Sequence, residues 1–414
     1  MKEEILNHLN EAEYLEKIYR SNKSLFKKEF NELYPSIKEN SLASFWRERL
    51  NYESEEISWG KRQDLIFVLI ASIIAGIIAK MPAMLNISED YYYPRNIGFI
   101  IFPVLSIYFA WKNGFSFKKG AAIISLMIMG VVFINLLPDV KTSDTLVLSC
   151  IHLALFLWSL LGFSYVGTMT RSDEKRMSFL KYNGDLIVMT TLIVIAGLIL
   201  SGVTVGLFGL IGFNIEKFFF SNIWVVGIAA SPIIGTYLIR TNPQLVGKVS
   251  PVIAKIFSPL VLVMLVIYIA AIAISGKDPY NDRQFLMLFN ALLIGVMAII
   301  FFSLTTTSNS KESKMQSWVL FLLSAVTLIV NVIAISAILF RISQWGISPN
   351  RASVLGSNLL FFVNLLIITF QLFKVVTKKQ DINIVGQVIA RYLPYYVIWT
   401  IIVAFLFPVI FNFI

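Results

Sequence analysis

The sequence predicts an all-α, polytopic transmembrane helix bundle of about eleven spans, preceded by a small cytoplasmic helical segment. Three observations carry this prediction. Apolar residues make up 57% of the 414 residues and charged ones only 14%, against about 25% charge in soluble domains. Uncharged apolar runs repeatedly exceed the ~18 residues that a membrane-crossing helix needs. The net charge of +10 is distributed unevenly between alternate loops, which is the positive-inside pattern of a multi-pass protein. Nucleic acid is not needed to explain it.

Residues 1–62 are the first predicted domain. They hold 11 Lys/Arg and 12 Glu, so the segment is nearly neutral but densely charged. Ile5, Leu9, Leu15 and Ile18, then Phe26, Phe30 and Leu33, recur at helical spacing. Pro35 is expected to interrupt the pattern. A further helix from about Ser41 carries Leu42, Phe45, Trp46 and Leu50 on one face. The expectation is a helical hairpin or three-helix cap. A unit this small buries little core of its own, so it either packs on a neighbour, including a second copy in a homo-oligomer, or recruits a cytoplasmic protein partner. No cleavable leader is expected in so polar a start, and insertion begins at the first span.

Residues 63–414 are the transmembrane domain, in contact with the lipid bilayer. Its predicted spans are 65–81, 96–111, 119–137, 145–167, 185–212, 222–239, 257–275, 284–304, 316–340, 353–373 and 395–413. With the N-terminus inside, inner loops hold 16 Lys/Arg and outer loops 8, so the register predicts a cytoplasmic N-terminus and an external C-terminus. Segment 380–394 is weakly amphipathic and is expected to lie in the interface, with Pro394 opening the last span. Pro243 and Pro251 should stiffen an inner loop and Pro259 should open the seventh span. Gly202 and Gly206, followed by Gly209 and Gly212, give small-residue spacing that predicts close helix packing, with a bend in a long helix as the alternative. Tyr91, Tyr92, Tyr93, Tyr395, Tyr396 and Trp399 suit interfacial anchoring.

Cys150 is the one cysteine, and the two histidines, His8 and His152, lie far apart. That spacing offers no disulfide framework and no Cys/His metal site, and no cofactor is implied. No phosphate-binding loop, serine-nucleophile elbow or zinc-protease motif occurs. The remaining chemistry sits in two groups. Glu216, Lys217, Asp278, Tyr280, Asn281, Asp282, Arg283, Arg341 and Arg351 are predicted at the outer mouth, where charge close to hydrocarbon marks either a functional cluster or loop-clamping ion pairs. Asn290, Asn331, Asn358 and Asn364, with Gln371 and His152, lie inside spans, either as interhelical glue or as a polar path. The carboxylates Glu89 and Asp90 in the first outer loop form the weakest candidate, for an enzyme acting on a lipid or lipid-linked sugar.

FLKYNGDLIVMTTLIVIAGLIL (179–200), GKDPYNDRQFLMLFN (276–290) and RISQWGISPNRASVLGSNLLFFVN (341–364) stand in order along the chain, with GTYLIRTNPQLVGKVSPVIAK (235–255) between the first two. Together they make the sequence resemble a multi-spanning bacterial family, domain of unknown function 4153, over most of residues 60–375. The resemblance implies a bacterial inner-membrane protein and brings no activity or catalytic residues. The functional expectation is therefore a transporter or channel with a charged outer gate. A membrane scaffold acting through residues 1–62, or a lipid-directed enzyme, are the alternatives.

Overall fold

The computed structural model describes residues 2–51, 60–140, 142–167, 173–210, 213–247, 249–275, 280, 283–307 and 314–413. The chain divides into two compact units, Met1–Trp59 and Gly60–Ile414. Among the described residues every regular element is helical.

The first unit contains α1 (Lys2–Asn7), α2 (Ala12–Ser21), α3 (Lys23–Ile37) and α4 (Ser41–Asn51). Its core joins Ile5, Leu15, Phe26, Phe30 and Trp46, all essentially buried. Pro35 does not interrupt α3 but sits in its last turn, so the i→i−4 bond its missing N–H removes lies at the helix end, with only two helical residues beyond it. Phe45 departs from the expected face and is 58% exposed.

Among the described residues of the second unit, ten helices are long and apolar enough to cross a membrane. These are α5 (Arg62–Leu85), α6 (Glu89–Lys112), α7 (Phe117–Leu136), α8 (Asp144–Val166) and α9 (Asp173–Leu210), then α10 (Glu216–Phe218), which continues through a π-helical turn into α11 (Val225–Thr241). After the short α12 (Gln244–Gly247) come α13 (Val249–Ser275), α15 (Lys314–Trp345), α16 (Pro349–Val376) and α17 (Asn383–Ile401), the last running through a second π turn into α18 (Phe407–Ile410); α14 (Arg283–Thr307), between α13 and α15, is not one of the ten. The predicted eighth span falls within α14, whose Asn290–Leu304 stretch is apolar.

Local chemistry sets the ends. Ser143 and Ser348 accept from the backbone N–H groups of Leu146 and Arg351, capping α8 and α16. Asn86 and Gly167 take left-handed conformations that stop α5 and α8. Prolines behave differently from expectation. Pro259 lies inside α13 and Pro394 inside α17, so neither proline opens its helix, and residues 383–394 are continuous with the helix that follows. In hydrocarbon the helix is the only available way to satisfy the backbone, which overrides a single lost bond. Likewise α6 starts at Glu89, so Tyr91, Tyr92 and Tyr93 stand on a helix. Tyr92 and Tyr93 donate to the Ile78 and Ala79 carbonyls of α5 (2.8 and 3.0 Å), as interhelical ties.

Two apolar cores organise the bundle. One gathers residues of α5, α6, α8, α9 and α11 around Leu105, Phe109, Leu161, Tyr182 and Ile233. The other gathers α13 to α17 around Leu293, Ile300, Leu320, Leu365 and Ile389. The start of α9 serves both, since Phe179 and Tyr182 join the first while Met177 and Leu180 pack on the second. Farther along α9 the glycine spacing does not mark packing. Nothing lies within 4 Å of a Cβ built at Gly202, Gly206 or Gly209. The close approaches occur at Gly184, against the Phe302 ring, and at Gly356, against the Trp399 ring.

Candidate functional site

α15 carries a buried polar stripe. Ser317, Ser324, Thr327 and Asn331 are buried beside Leu320, Leu323, Val330 and Ala334. Positions 317, 324 and 331 are seven apart and so share one face of the helix. Ser324 Oγ donates to the Phe321 carbonyl (2.8 Å) and Thr327 Oγ1 to that of Leu323 (2.6 Å). Both hydroxyl protons are thus taken by the helix itself, leaving oxygen lone pairs for an outside donor or a cation.

Two further polar side chains, Asn364 and Tyr396, hold the same place in their helices as Asn331 does in α15. Asn331, Asn364 and Tyr396 each sit within two residues of the middle of their spans, Lys314–Trp345, Pro349–Val376 and Asn383–Ile410. Asn364 Nδ2 donates to Tyr396 Oη at 2.8 Å, which joins α16 to α17. Asn364 Oδ1 has no partner among the described residues, and neither does Oδ1 or Nδ2 of Asn331, although both residues are 0% exposed. Leaving a buried amide unsatisfied costs about 1–3 kcal/mol. Toward the α15–α16 turn, Asn358 Nδ2 donates to Asn290 Oδ1 at 2.9 Å, joining α16 to α14. The four predicted asparagines therefore fall within one set of packed helices. Two are directly paired, one bonds a tyrosine, and Asn331 stands alone.

The described residues of the predicted outer mouth make local contacts. Tyr280 Oη lies 3.3 Å from Ser336 Oγ, and its ring meets Phe340 edge-on. Arg341 and Arg351 both lie over the Trp345 ring, at 5.3 and 5.8 Å. Arg351 also donates to the Trp345 and Gly346 carbonyls at 2.8 and 2.7 Å, so it caps the end of α15. Glu216 and Lys217 are exposed at the start of another span, whose continuation, α11, packs on α5 and α9. Asp278, Asn281 and Asp282 lie outside the described residues, as does the side chain of Arg283.

Sequence reasoning also missed a cluster. Arg95, counted as a loop residue, is inside α6 with its side chain 3% exposed, and it donates to Asp139 Oδ1 at 3.0 Å. Its guanidinium lies 4.0 Å from the centre of the Tyr91 ring. Next to it, Asn96 and Asn135 exchange amide hydrogen bonds in both directions (3.1 and 2.9 Å). The spacing of YPRN with INLLPD held the clue, since both stretches end at the same side of the bundle. Asp64 at the start of α5 pairs with Lys112 at the end of α6.

The chain matches no family model, no curated protein and no solved structure. The remaining candidates take local roles. His152 Nδ1 lies 2.8 Å from the Leu148 carbonyl of its own helix. Gln371 accepts from Gln380 across the turn after α16 (2.7 Å). Glu89 and Asp90 occupy the exposed first turn of α6, where acidic side chains favour the positive end of the helix dipole.

Proposed function

We propose that this membrane protein is a transporter or channel for a small polar solute or ion, using an oxygen-lined route through α14 to α17. Asn331 carries the reading. A polar side chain held at mid-span with no partner is costly in hydrocarbon, and such positions mark substrate pathways. Ser324, Thr327 and Asn364 add acceptor oxygens at or near that depth and contribute no carboxylate, which favours a monovalent cation or a hydrogen-bond-donating neutral solute over a proton relay. The route would reach the outside near Tyr280 and Arg351. On the same reading the N-terminus is cytoplasmic and the membrane a bacterial inner one, in keeping with the basic-residue bias and the family resemblance.

The test is flux through the purified full chain in liposomes, with monovalent cations, protons, small anions and polyols. Asn331→Leu should lower flux of the carried species about tenfold, the value of one lost hydrogen bond. Unchanged flux through a folded variant would overturn the assignment. A second reading, recruitment of a cytoplasmic partner, is favoured by the separate core of Met1–Trp59 and by the exposed Phe45. Deleting residues 1–60 should then abolish partner capture without altering flux.

A further inference from the structure

A cavity of about 420 Å³ opens between α6 and α7, walled by Ile107 and Trp111 on one side and by Phe117, Ile124 and Met127 on the other. That volume lies in the range of small-molecule sites, about 300–1,000 Å³. Ile107, Trp111, Phe117 and Ile124 are 45–90% exposed, so in a bilayer the groove faces lipid. Three serines, Ser106, Ser116 and Ser125, interrupt the apolar wall. Ser106 is 1% exposed and lines the groove, and its Oγ has no partner among the described residues.

At one end of the groove α7 begins. The Ser116 side chain does not cap it, so its first N–H groups are open to an outside acceptor, and a helix start attracts anions. Lys118 and Lys119 follow, both exposed. Lys119 Nζ stands 5.7 Å from the centre of the Phe115 ring, itself part of the groove lining. Lys112, at the end of α6, is engaged by Asp64.

An apolar trough with a buried hydroxyl, ending in two cations and a helix start, is complementary to an amphiphile with a long chain and an anionic head. A free anion would leave the trough unused, and an uncharged lipid would leave the lysines unused. We infer that the groove between α6 and α7 binds one anionic phospholipid, acyl chain in the trough and phosphate on the start of α7. Basic pockets between membrane helices recognise acidic head groups in this way. The site uses residues that the asparagine route does not, and it stands or falls separately.

The experiment photolabels the purified full chain in detergent with phosphatidylglycerol or phosphatidylcholine carrying a diazirine on the acyl chain, then maps the labelled residues. Phosphatidylglycerol should label the facing sides of α6 and α7 at a roughly tenfold lower concentration than phosphatidylcholine. Nothing lies within 4 Å of a Cβ at Gly120, which lines the groove, so Gly120→Phe has room at its Cβ and should fill the groove and remove the label. The double variant Lys118→Gln, Lys119→Gln should keep the label and lose the preference between head groups. Label spread evenly over the lipid-facing helices, or equal labelling of the wild type by both lipids, would overturn the inference. Mapping on the wild type does not depend on any variant folding.

Discussion

Two pairs of asparagines, one on each side of the bundle, solve the same problem differently. Asn96 and Asn135 exchange amide hydrogen bonds, and the amide nitrogens also reach the Tyr92 and Val131 carbonyls (3.1 and 2.9 Å). Asn331 and Asn364 sit at mid-span with three of their four side-chain polar atoms unpartnered among the described residues. A closed amide pair holds helices together and presents nothing to a passing solute. An open one costs stability, and that cost is retained where function needs it. The α6–α7 side is therefore read as structure and the α14–α17 side as a route.

The largest effect should come from the ion pair beside the closed amides. Asp139→Ala leaves the Arg95 guanidinium, 3% exposed, with the Tyr91 carbonyl and ring as its remaining partners; because the lost carboxylate is itself 54% exposed, the cost should be that of one hydrogen bond to a charged group, about 1.5–3 kcal/mol. Thermal or denaturant unfolding in detergent would measure it. A negligible change would mean that water reaches Arg95 and that this side is less sealed than the comparison holds.

Next come the amides themselves. Asn96→Leu leaves Asn135 Oδ1 without its donor and should cost about 1–3 kcal/mol of stability with flux unaltered. Asn331→Leu should do the reverse, leaving stability level or raised while flux falls. If both variants lose stability alike, Asn331 is glue and the contrast between the two sides fails.

Close packing supplies a third, smaller test. Gly356 lies against the Trp399 ring, whose Nε1 donates to Ser357 Oγ at 3.0 Å. That approach holds α16 on α17 and so supports the Asn364–Tyr396 bond. Gly356→Ala should cost about 1–2 kcal/mol through overpacking and should also depress flux. Gly206→Ala, with open space around it, should be neutral or slightly stabilising.

The same contrast shows what the sequence could reveal. Spans were legible because hydrocarbon demands long apolar helices, and the asparagines were legible because they stand alone within them. Arg95 was not, because YYYPRN reads as a polar loop until the helix is seen to begin at Glu89. Pro259 and Pro394 misled for a related reason, since proline's local cost is outweighed by the membrane's demand for a continuous helix. The glycines at 202, 206 and 209 carry the spacing of a packing motif, yet they face no neighbour, whereas the isolated Gly184 and Gly356 do. Spacing along one helix says nothing about which partner lies opposite.

The smallest effect lies in the first compact unit and calibrates the rest. Glu16 accepts from Arg20 Nε at 2.8 Å and pairs with Arg49 at 2.7 Å. Burial alone would push its carboxyl up, but the Arg20 hydrogen bond and the Arg49 charge outweigh burial and hold it below the ordinary carboxylate value. A depressed folded-state value means that the stabilisation is complete above the ordinary value, about 4.3. It is lost as pH falls through the depressed one. Water screens this network, so its worth is a few tenths of a kcal/mol, up to about 1. Hydrogen exchange of residues 12–37 in the wild type and Glu16→Gln, compared at each pH, should show extra wild-type protection near neutrality that vanishes in acid. A difference that persisted in acid would assign it to packing rather than charge. If this screened pair proved worth as much as the Arg95–Asp139 pair, low dielectric could not be what separates the buried networks from the exposed ones.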